Sequence, residues 1–154
     1  MSPALTRVKE FVSQYPDLRI ILFDSSTHTS ELAAQALGVT PAQIAKTLCF
    51  LADGQPVLLT TCGDKKTDVK ALARELGVKK IRFADAETVE RTTGFPPGGV
   101  SPVGILPDVP LYLDCSLWDF DIVYAAAGTA NSALPVSPDR LKEITGAQVI
   151  DVCK

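Results

Sequence analysis

The stretch TLCFLADGQPVLLTT, residues Thr47 to Thr61, decides how this chain folds. Two β-rich runs, Thr47–Ala52 and Pro56–Thr61, flank the dipeptide Asp53-Gly54. A short Asp-Gly connection between such runs is a hairpin signal, because the tight turn needs residues that tolerate positive φ. The remaining strand candidates sit both in hairpins and between helices. That favours a mixed sheet with helices packed on it over a doubly wound parallel sheet.

Upstream of the hairpin, Ala4 to Tyr15 has helical spacing, with Leu5, Val8, Phe11 and Val12 on one face. Pro16-Asp17 stops it, and Arg19 to Phe23 suits a buried strand. Asp24 to Ser30 (DSSTHTS) reads as a polar loop, and Glu31 to Leu37 as a helix closed by Gly38. Thr40-Pro41-Ala42-Gln43 has the form of a capping box with proline at the first helical position. The short helix it opens is expected to deliver Lys46 at or near its end. Downstream, Thr67 or Asp68 starts a helix that Gly77 ends, and Lys80 to Phe83 is a short strand. Asp85 caps a helix that runs to Thr93 and closes at Gly94. Further strands are expected at Leu111–Asp114, Ile122–Ala126, near Ala133–Val136 and at Gln148–Val152. Ser137-Pro138 opens the last helix, which Gly146 ends.

Composition narrows the function classes. At 154 residues one α+β domain over 1–154 is expected, and roughly 70% of the unfolded surface can be buried. Apolar residues are 46% and charged residues 21%, which excludes a wholly disordered chain. No apolar run approaches the roughly 20 residues of a membrane span, and residues 1–10 hold no signal-peptide core. A cytoplasmic location without membrane association is expected. The four cysteines, at 49, 62, 115 and 153, form no CxxC pair, and His28 is the only histidine. Neither a zinc site of ordinary spacing nor a disulfide framework is expected, and any histidine-dependent mechanism must pass through His28.

The net charge of −3 is unevenly placed. Residues 65–82 hold seven basic residues (Lys65, Lys66, Lys70, Arg74, Lys79, Lys80, Arg82) against Asp68 and Glu75. This stretch carries +5 and the remainder −8. Lys66, Lys70 and Arg74 are four apart and would share one helix face. Such a face is either simply solvated or a modest, salt-sensitive phosphate contact.

Three features can carry chemistry. Lys46 lies between Ile44-Ala45 and Leu48-Cys49-Phe50. A lysine in so apolar a setting either snorkels to water or aims a cation into a cleft. The segment Gly94 to Gly104 holds four glycines and three prolines, a stiff loop that lets a ligand approach its backbone. It is a connecting turn or a set of amides, at Gly99, Val100 and Ser101, aimed at a carbonyl oxygen. His28, with Thr27, Thr29 and Ser30, either lines a polar pocket or caps the helix at Glu31. Asp114 is an acid at a strand end or a cap before Ser116. Cys49 and Cys62 read as inert core thiols.

Taken together these residues resemble the YbaK/EbsC family of free-standing aminoacyl-tRNA deacylases, related to the editing domain of bacterial prolyl-tRNA synthetases. The resemblance rests on Thr29-Ser30-Glu31-Leu32-Ala33-Ala34 with Leu37-Gly38-Val39, on Ile44-Ala45-Lys46-Thr47-Leu48, and on Gly63-Asp64-Lys65-Lys66. Its strongest piece is Thr93-Gly94-Phe95 through Gly98-Gly99-Val100-Ser101-Pro102-Val103-Gly104, followed by Leu113-Asp114, Ala126-Ala127-Gly128 and Ser137-Pro138-Asp139-Arg140-Leu141. It implies a mixed, barrel-like sheet flanked by helices. It implies hydrolysis of the ester on a mischarged tRNA, with tRNA(Pro) carrying Ala, Cys, Ser or Thr as the expected substrate and prolyl-tRNA synthetase as a possible partner. Lys46 matches the family's essential lysine, and Gly98 to Pro102 its GxxxP loop. The expected catalytic set is Lys46, Gly99, Val100 and Ser101. The expected substrate-binding set is Thr27, His28, Thr29, Ser30, Phe95, Gly98, Pro102, Asp114 and Gly128. Lys65, Lys66, Lys70 and Arg74 are expected to touch tRNA. An aminoacyl ester is already activated, so no cofactor, metal or cysteine nucleophile is expected. The rival readings are a non-catalytic aminoacyl- or nucleotide-binding module and a thiol-dependent enzyme.

Overall fold

The computed structural model describes residues 3–23, 30–96, 99–105, 109–129 and 131–154. The central hairpin forms as its sequence requires. β2 (Ile44–Ala52) and β3 (Gln55–Cys62) pair antiparallel in unbroken register from Ala45↔Cys62 to Ala52↔Gln55. The turn takes φ +48° at Asp53 and +83° at Gly54, the positive values a tight two-residue connection demands.

Around it lie α1 (Pro3–Val12), β1 (Ile21–Leu22), α2 (Ser30–Leu37), α3 (Val69–Leu76), β4 (Ile81–Phe83), α4 (Ala86–Thr93), β5 (Leu111–Asp114), β6 (Val123–Ala125), β7 (Ser132–Val136), α5 (Pro138–Thr145) and β8 (Gln148–Ile150). Three helices begin where side chains satisfy free amides. Asp68 accepts from the Ala71 amide, Asp85 from Thr88 and Ser137 from Arg140. Gly77, Gly94 and Gly146 then end them in the left-handed conformation.

The sheet order is β1-β7-β6-β2-β3-β5-β8, with β4 added on β2. Pairs β2–β6, β3–β5 and β5–β8 are parallel and the rest antiparallel, so the sheet is mixed as expected. Among the described residues it does not close: β1 and β8 stand at opposite ends of the ladder, so the barrel-like sheet is open. The two-residue β1 is too short to continue the ladder.

Three further expectations change. α1 ends at Val12 rather than Tyr15, because Pro16 disfavours helical geometry at the residue before it. The Thr40 capping box yields only a single 3-10 turn, Pro41–Gln43, without a side-chain cap. β2 therefore begins at Ile44, and Lys46 is its third residue, not a helix end. Eight paired positions with β3 outweigh a helix too short to nucleate. Lys66 precedes α3 and pairs its backbone with Lys154, so it does not share a helix face with Lys70 and Arg74.

Both faces of the hairpin are buried. Ala45 and Cys62 join the main core with Val8, Phe95, Leu113 and Leu134. Phe50, Val57 and Leu59 join a second core beneath Leu72 of α3.

Candidate functional site: a notch in the sheet beside Lys46

β2 is paired unevenly. One edge carries β3 along its length. The other carries β6 at Ile44 and Ala45, and β4 at Phe50 to Ala52. The Ala84 amide extends the β4 side to the Cys49 carbonyl. Among the described residues no strand pairs with Lys46 to Leu48 on that edge, so the sheet has a notch there. Such an edge offers main-chain groups to whatever enters.

Lys46 stands at the lip of this notch. It is half-buried, and its side chain has no ion pair or hydrogen bond among the described residues. No side-chain nitrogen or oxygen there is both fully buried and unpartnered, so the ammonium keeps contact with solvent. Its cross-strand partner is Thr61, and directly opposed residues share a face. The Thr61 hydroxyl meets Ser116 Oγ at 3.4 Å, and the Ser116 hydroxyl donates to Asp114 Oδ2.

Two glycine-bearing segments pack together past the end of β6. Where β6 leaves β2 after Ala45↔Ala125, the chain continues through Ala126 to Thr129. Gly99 lies against that segment: a Cβ at Gly99 would stand 3.0 Å from the backbone N, Cα and C of Thr129. Only a glycine lets the two backbones approach so closely. The Gly99 amide donates to Pro96 O at 3.0 Å, which closes the loop's own turn. It is therefore not a free donor, and this corrects its expected role as one. The amides of Val100 and Ser101 have no acceptor among the described residues. Ser101 is fully buried, and its Oγ accepts from the Val103 amide at 3.1 Å. Its hydroxyl thus holds the loop's shape from within.

Arg7 of α1 ties the two ends of this loop together. Its Nη2 donates to Gly94 O at 2.8 Å and its Nε to Gly104 O at 3.2 Å, while the guanidinium lies 4.9 Å from the Phe95 ring centre. A planar fork suits two divergent carbonyls. Sequence reading missed Arg7, because its partners are 87 and 97 residues away.

Other expected residues take different places. Phe95 is fully buried in the main core, so it supports the loop from below rather than lining an open pocket. Asp114 is fully buried as a cap. Oδ2 accepts from the amide and hydroxyl of Ser116, and Oδ1 from the Val152 amide at 2.9 Å. Its carboxylate thus bridges Ser116 and Val152 inside the protein, a capping role beside the substrate-binding one expected of it. Gly128, at φ +100°, sits against α1; a Cβ there would be 2.9 Å from Ala4 O. Its need is packing. Pro102 is buried and borders a separate cavity of about 540 Å³ toward Tyr112 and Gly146. Thr27, His28, Thr29 and Gly98 lie outside the described residues, as does the side chain of Ser30, which opens α2. Lys70 and Arg74 are exposed on α3, Lys66 is exposed before it, and Lys65 is half-buried.

The thiols suit structure better than nucleophilic work. Burial pushes the Cys49, Cys62 and Cys153 thiols up, and Cys115 is pushed up to about 11 by burial and by the neighbouring Asp114 and Asp151. A reactive cysteine needs the opposite shift. Asp114, Cys115 and Asp151 place three potential donor atoms within 4.8 Å of one another. Asp114 already accepts three hydrogen bonds and Cys115 holds its proton, so this trio is a poor match to a cation.

Lys46 is thus a half-buried cation at the sheet notch, and the segments that carry Gly99 and Thr129 pack closely together past the end of β6. The chain belongs to the aminoacyl-tRNA editing domain family, whose model matches residues 24–144. It is 40% identical over 134 residues to "Uncharacterized protein YwhH" of Bacillus subtilis (strain 168), covering 86% of this chain and 85% of that one. It is 29% identical over 130 residues to "Putative Cys-tRNA(Pro)/Cys-tRNA(Cys) deacylase EbsC" of Enterococcus faecalis, covering 83% and 79%. A crystal structure described as "a putative trans-editing enzyme for prolyl tRNA synthetase" matches with TM-score 0.92 and 35% identity, over 100% of this chain and 99% of that one. Among the described residues no helix is long and apolar enough to cross a membrane.

Proposed function

We propose that this protein hydrolyses the ester of mischarged tRNA in trans, with tRNA(Pro) carrying a small wrong amino acid (Ala, Cys, Ser or Thr) as substrate. The observation that carries this reading is Lys46: a half-buried cation at the sheet notch, without a counter-ion among the described residues. Water adds to the ester carbonyl carbon, and the carbonyl oxygen takes the negative charge. The amides of Val100 and Ser101, with the Lys46 ammonium, stabilise that oxyanion as it forms. The tetrahedral adduct then expels the ribose oxygen, which leaves as a hydroxyl with the proton lost by the water. On a cysteinyl ester the substrate's own thiol can attack instead, releasing a thiolactone. Neither route uses a protein thiol.

The names of the relatives support a link to prolyl-tRNA, and prolyl-tRNA synthetase is the partner we propose. A small apolar pocket separates neighbouring amino acids by only about 1–3 kcal/mol per methylene, so more than one small residue is expected to be removed. The test is a deacylation panel on tRNA(Pro) charged with Ala, Cys, Ser, Thr or Pro, with and without the synthetase. Rapid loss of one or two mischarged species with Pro-tRNA(Pro) spared is expected. No loss on any species would replace this reading with that of a binding module.

A further inference from the structure

A second feature lies along the same strand. Beyond the notch, Phe50 of β2 is opposed by Phe83 of β4, Leu51 by Arg82 and Ala52 by Ile81. Phe83 is 60% exposed, although its ring rests 4.6 Å from that of fully buried Phe50. An exposed aromatic ring backed by a buried one, here tilted 35° to it, offers aromatic surface on which a base can stack. Phe50 is four residues from Lys46 on the same pleat face, about 14 Å along the strand.

Past Phe83, the space between α3, β4 and the hairpin turn forms a groove of about 500 Å³. Lys70, Lys79, Lys80 and Arg82 border it over an apolar floor that includes Val69 and Ile81. Asp53 also borders it, but its carboxylate accepts from the Lys79 and Lys80 amides at 2.8–3.2 Å and is thereby held to the turn. All four cations are exposed, and none has an ion pair among the described residues. In a chain of net charge −3, this is where a polyanion finds complementary charge.

The order along β2 is thus lone lysine, exposed aromatic, cationic groove. We propose that this order is a track for one RNA strand: Phe83 stacks a base of the unpaired 3′ end, and Lys70, Lys79, Lys80 and Arg82 hold the phosphates that follow. This rests on the deacylase reading and adds to it the path of the RNA. Base–aromatic stacking tolerates any sequence, and phosphate contacts act through charge, so the track supplies affinity rather than sequence choice.

The test compares Phe83→Ala, Phe83→Trp and the double variant Lys79→Glu/Lys80→Glu with the unaltered protein. Each is assayed on full aminoacyl-tRNA and on aminoacyl-adenosine, which has no strand to track. Binding of an uncharged RNA hairpin with an unpaired 3′ overhang is measured alongside by fluorescence anisotropy. Phe83→Ala is expected to lower kcat/KM on aminoacyl-tRNA about tenfold to a hundredfold, through KM, with Phe83→Trp restoring it. The double charge reversal is expected to flatten the dependence of log kcat/KM on log salt by about 1–2 units. Both variants should treat aminoacyl-adenosine as the unaltered protein does. Unchanged rates and unchanged hairpin binding in all variants would overturn the track, and so would equal losses on both substrates. If the unaltered protein cleaves neither substrate, the deacylase reading fails, and hairpin binding by the variants still decides the track.

Discussion

The Gly94–Gly104 loop and the α3–β4 ridge are held in opposite ways. The loop is buried from Gly99 to Val103, closed by its own hydrogen bonds and pinned at both ends by Arg7. The ridge leaves the side chains of Lys70, Lys79, Lys80 and Arg82 exposed, without an ion pair among the described residues. The contrast is what the two proposed roles would require. Donors aimed at a developing oxyanion help only if they are already in place, so packing must hold them. Cations that gather phosphate work through solvent, and burying them unpaired would cost more than their attraction returns.

Substitutions can break this contrast, and their effects should fall in a clear order. Lys46→Ala is expected to lower kcat about a hundredfold to a thousandfold while leaving the melting temperature nearly unchanged. Single-turnover deacylation with a parallel thermal melt checks both halves. A folded Lys46→Ala protein with unaltered turnover would remove the lysine from the mechanism.

Gly99→Val comes next. Even the first carbon of the new side chain meets Thr129 backbone at 3.0 Å, so the two segments must part. A loss of about 1–3 kcal/mol in stability is expected, together with a fall in kcat. Urea unfolding and turnover measure the two effects. Full turnover would mean the loop is only a connector.

Arg7→Ala removes both carbonyl contacts at the loop ends. Stability should fall by about 2 kcal/mol, or roughly 4–8 °C in melting temperature for a chain of this size. Arg7→Lys should recover only part, because an ammonium cannot fork to both carbonyls. A full recovery by lysine would show that charge alone, not the two-pronged geometry, holds the loop.

On the surface, Arg140 pairs with Asp17 at 2.9 Å and also bonds Glu143. The Arg140 hydrogen bond holds the Asp17 carboxyl below its usual 3.8. A depressed carboxylate pKa stabilises the fold above the unfolded value and loses that contribution as pH falls through the folded value. Asp17→Asn should therefore cost a little at neutral pH, and the difference should shrink as pH falls below 3.8 towards the lower folded value. Thermal melts from pH 3 to 7 test the sign.

The smallest effect expected is none. Replacing all four cysteines by alanine should leave turnover per folded molecule unchanged, since every thiol pKa is raised. Lost activity in a folded quadruple variant would restore the thiol-dependent reading.

Much of the fold was legible because its signals are local. Asp68, Asp85 and Ser137 cap the residues three ahead of them, and Gly77, Gly94 and Gly146 end the same helices. Asp53-Gly54 turns the hairpin through its own backbone torsions. Lys46 stood out because its neighbours are apolar, although its element was misread. The Thr40 motif promised a helix, and only pairing with β3 shows why a strand prevails.

The sequence by itself determined the helices, the hairpin, the mixed character of the sheet, and Lys46 and the glycine-rich loop as the places to look. These depend on interactions within a few residues, which spacing and residue type reveal. Only the tertiary structure decided that Phe95 and Asp114 are spent on packing and capping, that Arg7 holds the loop, and that β4 and β6 leave a notch at Lys46. Those outcomes depend on groups brought together from distant parts of the chain, and no local pattern encodes which partner a buried carboxylate or an unpaired strand edge will meet.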